Sequence, residues 1–81
     1  MELNDTVELM LSDDYKDRFK AEYTQLKIRY QKLKSMLDKW DKGELDFTPT
    51  CPREIYNKQV AGMEMYLDAL FDRAEIEEIL F

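Results

Sequence analysis

Apolar residues recur every seven positions through two long stretches of the chain. The first stretch carries two such series, which are Phe19, Leu26, Leu33 and Trp40, and Tyr23, Tyr30 and Leu37. The second stretch carries Tyr56, Met63 and Leu70, and Val60, Leu67 and Ala74. A seven-residue apolar repeat places its members along one side of an α-helix. Each stretch therefore predicts a long amphipathic helix.

Capping residues set the expected bounds of the first long helix. Ser12 is a suitable N-cap, and the acids that follow it suit the positive end of a helix dipole. Gly43 is the first glycine and a natural stop. We therefore expect helix one over about residues 12–42.

Two prolines and two threonines interrupt the chain after Gly43 and predict a connection over residues 43–51. Pro52 suits the first position of a helix, so helix two is expected over about residues 52–78. Two long helices with so short a connection predict an antiparallel hairpin. The fold class is therefore all-α, with a single domain over residues 1–81.

A short helix is expected before the hairpin, over about residues 5–11. Asn4 or Asp5 would cap it, and Glu8 would complete a capping box. Its apolar side is formed by Val7, Met10 and Leu11. This helix must dock on something, and the sequence leaves open whether it docks on its own hairpin or on a neighbouring chain.

The chain has more apolar residues than one seam on each helix can bury. A second, outer apolar surface is expected from Ile28, Met36, Met65, Tyr66 and Phe71. A chain of 81 residues also has a small core, and its single cysteine excludes an internal disulfide. We therefore expect an oligomer in which other copies cover the outer surface.

The charge of the chain is distributed unevenly. The whole chain has a net charge of −6, yet the segment from Tyr15 to Lys34 holds seven Lys and Arg residues against two acids. These cations either face acids of the second helix, within the hairpin or between chains, or they face an anionic ligand. Arginine or lysine beside tyrosine suits a nucleotide, because the cation meets phosphate and the ring stacks on a base. Binding of duplex nucleic acid is not expected from so acidic a chain.

The composition argues against catalysis. The chain contains no histidine, and Cys51 has no partner base. Neither a metal-binding set nor a glycine-rich phosphate loop is present, so we expect no enzyme, no metal and no cofactor. The acidic N-terminus and the lack of a long apolar run lead us to expect a cytoplasmic protein.

Ten helix positions, in a region that spans about residues 12–76, resemble a family of small phage proteins. They are Tyr15, Arg18, Glu22, Leu26 and Leu33 in the first helix, and Gln59, Met63, Tyr66, Leu70 and Arg73 in the second. The family is that of the helical-hairpin immune-evasion sponges, which includes the anti-CBASS sponge and the hairpin portion of the anti-Thoeris sponge. The chain departs from the best-known members because its second helix carries bulky Met65, Tyr66, Leu67 and Phe71 where theirs is rich in small residues.

The resemblance implies a function without chemistry. Such a protein would bind and sequester cyclic dinucleotides or trinucleotides inside an infected bacterium, in sites shared between the chains of a homohexamer. The ligand-binding residues implied are Tyr15 as a stacking ring, with Arg18, Arg73, and Lys27 or Arg29 near phosphate. For Arg73, a bridge to Asp17 or Glu22 on the facing helix is the structural alternative. The alternative function is a helical-hairpin module that binds another protein and no small molecule.

Overall fold

A computed structural model describes residues 1–80 of the chain. The chain forms a 3-10 turn over Leu3–Thr6, then α1 over Val7–Met10, α2 over Tyr15–Asp41 and α3 over Arg53–Ile76. Residues 1–80 contain no β-strand, so the all-α prediction is confirmed. The expected domain ended at residue 81, which lies outside the described residues.

The N-terminal segment begins earlier than the sequence predicted. Glu2 and Asp5 form its capping box, in which the Glu2 backbone N–H donates to Asp5 Oδ2 at 2.8 Å. The predicted box of Asn4 or Asp5 with Glu8 was wrong, because the chain enters the helix through a 3-10 turn at Leu3. That turn shifts the cap by two or three residues.

The first long helix begins at Tyr15, and its cap is Asp14 rather than Ser12. The Asp14 carboxylate accepts the backbone N–H of Lys16 at 2.9 Å. The Ser12 hydroxyl donates instead to Asp17 Oδ2 at 2.8 Å and accepts the Asp14 N–H at 3.1 Å. Ser12 therefore shapes the turn that precedes the helix.

Each long helix is followed, two residues after its last helical residue, by a residue with positive φ. Gly43 has a φ of 70°, and the following N–H of Glu44 donates to the Lys39 carbonyl at 2.8 Å, so the predicted stop at Gly43 is confirmed. Pro52 is the N-cap of α3 and not its first helical residue. The same C-terminal motif closes α3 at Glu78, two residues beyond the last helical turn.

Pairs of side chains across the hairpin show that α2 and α3 run antiparallel. The Tyr30 hydroxyl donates to Glu64 at 3.0 Å, and the Tyr66 hydroxyl donates to Glu22. The core cluster at one end of the hairpin consists of Phe19, Leu70, Ala74 and Ile79, with Tyr23 and Leu26 packed against it. Every residue of the four seven-residue series is buried or half-buried.

The N-terminal segment docks on α2 of its own chain. Thr6 is fully buried, where its hydroxyl donates to the Leu3 carbonyl at 2.7 Å and accepts from Gln25 Nε2 at 2.8 Å. Ala21, on this side of α2, is also fully buried. The N-terminal segment therefore packs on the hairpin of its own chain, a point that the sequence left open.

The outer apolar surface is smaller than the sequence predicted. Ile28 lies half-buried in a groove beside Met1, and Met36 lies half-buried beside the connection. Met65, Tyr66 and Phe71 are exposed as expected, with relative exposures of 76%, 45% and 50%. The N-terminal segment and the connection therefore shelter part of α2, while α3 keeps its exposed apolar residues.

Candidate functional site

The N-terminal end of α2 meets the C-terminal end of α3, and several aromatic and cationic side chains gather there. We call them the open-end cluster, which comprises Tyr15, Arg18, Phe19, Tyr66 and Arg73. Helix spacing brings Tyr15, Arg18 and Phe19 to adjoining positions, because residues three and four apart lie on the same side. Three of the five residues predicted to bind a ligand, Tyr15, Arg18 and Arg73, belong to this cluster.

Arg73 stacks on an aromatic ring of the facing helix. Its guanidinium carbon lies 4.8 Å from the centroid of the Phe19 ring, and its Nε donates to Glu77 at 3.0 Å. The bridge to Asp17 or Glu22 is not formed, since these carboxylates accept from Ser12 and Tyr66. The Arg73 side chain is 52% exposed. It therefore presents hydrogen-bond donors to solvent in a position fixed by the ring beneath it.

Arg18 and Tyr15 border the same end of the hairpin. Arg18 Nη1 donates to the backbone carbonyl of Ser12 at 2.7 Å, which holds the side chain toward the turn before α2. Tyr15 is the first residue of α2 and is 48% exposed. The guanidinium has further donors after this hydrogen bond, and the ring face is accessible, so both groups retain the capacity to contact a ligand.

Lys27 lies in a groove of about 340 Å³ between the start of the chain and α2. Its Nζ is 6.0 Å from the centroid of the Tyr23 ring, and Thr24 and Gln31 add polar groups to the wall. The volume is at the small end of the range for ligand pockets, which is about 300–1,000 Å³. The groove therefore suits one ring or one phosphate group rather than a large ligand.

Arg29 is exposed, and among the described residues it makes no hydrogen bond or ion pair. It lies three helical turns from Arg18 on the same side of α2, which corresponds to about 16 Å along the axis. Lys27 and Arg29 are two residues apart, so they point to nearly opposite sides of α2. One chain thus divides the predicted residues among three places: the open-end cluster, the groove and Arg29.

A second arginine–aromatic cluster, which the sequence did not predict, closes the other end of the hairpin. Arg53 donates to both carboxylate oxygens of Asp41, at 2.6 and 3.2 Å, and lies 5.2 Å from the Trp40 ring. This hydrogen-bonded ion pair lowers the pKa of Asp41 and raises that of Arg53. Tyr56 meets the Trp40 ring edge to face. Phe47, in the connection near this end, is 54% exposed.

Some contacts at the open end had a signal in the sequence and others had none. Arg73 and Glu77 are four residues apart on one helix, which is the spacing of an ion pair. The role of Phe19 beneath Arg73, and the roles of Thr24 and Gln31 in the groove, depend on distant contacts. No local pattern marks such contacts.

The described residues hold no group of three or more Cys, Asp or Glu side chains placed to bind a metal ion. Cys51 is half-buried in the connection. Within residues 1–80, no helix combines the length and the apolar character that crossing a membrane requires.

The described residues form a small, all-helical protein with an arginine–aromatic contact at each end of its hairpin. The family model described as Sequestin matches residues 13–76, and the chain belongs to this family. The family name indicates sequestration of a ligand and a binding protein rather than an enzyme. Comparisons with curated proteins and with solved structures gave no match.

Proposed function

We propose that this protein binds cyclic oligonucleotide second messengers and sequesters them without cleavage, as an immune-evasion protein of a phage. The observation that carries the ligand class is the open-end cluster, where Arg73 lies on the Phe19 ring, and Arg18 and Tyr15 occupy positions of α2 next to Phe19. Guanidinium groups bind phosphate bidentately, and an exposed tyrosine ring stacks on a base. Family membership supports sequestration as the outcome of binding.

The distribution of cations supports a site that is completed by another chain. Lys27 and Arg29 lie away from the open-end cluster, and the groove beside Lys27 is small. In a homo-oligomer, which we propose to be a hexamer, the open end of one copy would meet α2 of another. Two or three phosphates would then be held by cations from different chains, in the cytoplasm of the infected host.

Acidic residues elsewhere on the chain support a small ligand over a polymer. The net charge of −6 opposes a long phosphate backbone, whereas a few local cations suffice for two or three phosphates. The proposal therefore excludes duplex nucleic acid as a partner.

Thermal unfolding with a panel of cyclic di- and trinucleotides tests the proposal. A messenger present at 100 times its dissociation constant should raise the free energy of unfolding by about 2.7 kcal/mol. Ligand recovered after release of the protein should be chemically intact. If no messenger stabilises the protein, the proposal fails and the alternative, a module that binds only other proteins, takes its place.

Substitution of the cluster residues tests the assigned site. Arg18→Ala and Arg73→Ala should each weaken messenger binding at least tenfold, since a hydrogen bond between charged groups contributes about 1.5–3 kcal/mol. Lys42→Ala, which removes an equal charge at the opposite end of the hairpin, should leave binding unchanged. Sedimentation of each variant checks the assembly. If Arg18→Ala and Arg73→Ala dissociate the oligomer, both arginines are structural and the site assignment is wrong.

A further inference from the structure

Arg73 uses only one edge of its guanidinium group within the chain. Its Nε donates to Glu77 Oε2 at 3.0 Å, and among residues 1–80 its two terminal nitrogens make no hydrogen bond. The guanidinium carbon lies 4.8 Å from the centroid of the ring of Phe19, a core residue that is 4% exposed. The buried ring and the carboxylate therefore hold the guanidinium in place and leave its terminal nitrogens available.

Glu77 lies where a carboxylate is unfavourable for the helix. It is the C-cap of α3, and the negative end of a helix dipole repels an acidic side chain. Its side chain is 29% exposed, so salt and water screen its charge less than that of a fully exposed carboxylate. An anion that binds Arg73 therefore meets a negative potential from Glu77 and from the end of α3.

A second carboxylate at this end of the hairpin acts in the same direction. Glu22 accepts from the Tyr66 hydroxyl, a neutral donor that leaves its charge in place. Tyr66 precedes Arg73 by two helical turns, which corresponds to about 10 Å along the axis. Glu77 is therefore the nearer carboxylate, and its charge acts more strongly on an anion bound to Arg73.

The Arg73–Glu77 pair carries no net charge, which limits the charge of the anion it can accept. A phosphodiester carries about one negative charge, whereas a terminal phosphate carries about −1.5 to −2 at pH 7. Repulsion by Glu77 grows in proportion to the charge of the anion. A terminal phosphate is therefore repelled more strongly than a phosphodiester at the same position.

We propose that Glu77 determines which anions the open-end cluster accepts, by holding Arg73 in position and by favouring phosphodiesters over terminal phosphates. This inference rests on the proposed function, in which Arg73 contacts a cyclic messenger. A cyclic oligonucleotide contains only phosphodiesters, whereas its ring-opened form ends in a phosphate. Linear nucleotides, from which cyclic messengers are made, are then poor competitors for the site.

Paired titrations of cyclic and linear nucleotides test the inference. Each cyclic di- or trinucleotide of adenosine and guanosine is compared, by calorimetry at pH 7.5, with its linear form that carries a 5′-phosphate. The measured quantity is the ratio of the linear to the cyclic dissociation constant. Glu77→Gln keeps an oxygen that accepts from Arg73 Nε but removes the charge, so it should lower this ratio about threefold or more. It should bind the cyclic form at least as tightly as the native chain does.

Glu77→Ala separates the two roles, since it removes both the charge and the contact that holds Arg73. It should weaken binding of the cyclic form, and Glu77→Gln should not. Glu75→Gln is the matched control, because it removes the same charge from the last turn of α3 on another side of the helix. It should leave the ratio unchanged, and urea unfolding of each variant checks the fold.

The outcomes distinguish this inference from the proposed function. If the native chain binds no cyclic form, the proposed function fails and the inference fails with it. If the native chain binds a cyclic form but Glu77→Gln leaves the ratio unchanged, only the inference is overturned. It is equally overturned if Glu75→Gln lowers the ratio as much, since overall charge then decides, or if Glu77→Gln loses the cyclic form.

Discussion

At the scale of single residues, Glu78 is the most unusual position in the chain. Its φ of 57° lies in the left-handed region, which residues with a side chain rarely adopt. The conformation closes α3: the N–H of Ile79 donates to the Ala74 carbonyl at 2.9 Å, and Ile79 is then buried in the core. The strain at Glu78 is thus offset by the burial of its neighbour.

Glu78→Gly should raise the free energy of unfolding by about 0.5–1 kcal/mol, because glycine adopts this φ without steric cost. Glu75→Gly is the matched control, since it makes the same chemical change inside the helix. It should lower stability by about 1 kcal/mol. Urea unfolding of both variants measures the difference. A loss of stability in Glu78→Gly would contradict this account of the helix end.

The burial of Thr6 is a second consequence of single residues. A fully buried hydroxyl is tolerated because both of its hydrogen bonds are made, one within the N-terminal segment and one to Gln25. The bond to Gln25 links this short segment to α2.

At the scale of elements, α2 and α3 are joined by polar contacts at several levels along the hairpin. Tyr30 donates to Glu64, and Tyr66 donates to Glu22, so each helix contributes one tyrosine and one glutamate. The bond to Glu64 raises the pKa of Tyr30, since it stabilises the protonated phenol. These bonds lie beside the apolar seam and specify which residues of the two helices come opposite each other.

The Asp41–Arg53 pair connects the end of α2 to the start of α3 and predicts a pH dependence. The pKa of Asp41 is lowered from its ordinary 3.8 in the folded chain. The folded chain therefore binds this proton less tightly than the unfolded chain does. The stabilisation is therefore present above the unfolded pKa and is lost as the pH falls through the folded pKa. Asp41→Asn should consequently destabilise the protein at neutral pH and have little effect near pH 2.

Urea unfolding at the two pH values measures this dependence. Asp46→Asn, an exposed position in the connection, is the control and should have a small effect at both. If Asp41→Asn lowers the free energy of unfolding equally at neutral and acidic pH, the carboxylate charge does not contribute to stability.

At the scale of the whole molecule, the two long helices are covered unequally. The helix α2 is covered by α3 on one side, and by the N-terminal segment and the connection elsewhere. Among the described helices, α3 packs only against α2, and Ile79 of the following tail covers its last turns. The core cluster lies near the open end, and one side of α3 stays exposed.

Two neighbouring residues of α3 distinguish core from surface. Leu70 is 2% exposed within the core cluster, whereas Phe71 is 50% exposed. Leu70→Ala should lower the free energy of unfolding by about 2–5 kcal/mol, which is comparable to the total stability of a domain of this size. Phe71→Ala should cost less than about 1 kcal/mol. Far-ultraviolet circular dichroism with urea unfolding compares the variants. Similar costs for both would place the core elsewhere.

The sequence by itself determined the two long helices and the side that each one buries. A seven-residue apolar repeat is a local signal, and every member of the four series is buried or half-buried. Gly43 marked the end of α2 because a positive φ favours glycine. The sequence did not determine the start of α2, because Ser12 and Asp14 are both suitable caps. The structure distinguishes them, since the Ser12 hydroxyl donates to Asp17.

Only the tertiary structure decided which distant residues meet. It placed the N-terminal segment on its own α2 through Thr6 and Gln25, and it placed Arg73 on Phe19 rather than against Asp17 or Glu22. It also separated Lys27 and Arg29 from the open-end cluster. Such contacts join residues far apart in the chain, and they depend on how the helices are rotated and aligned. The spacing of residues along one helix carries no information about that arrangement.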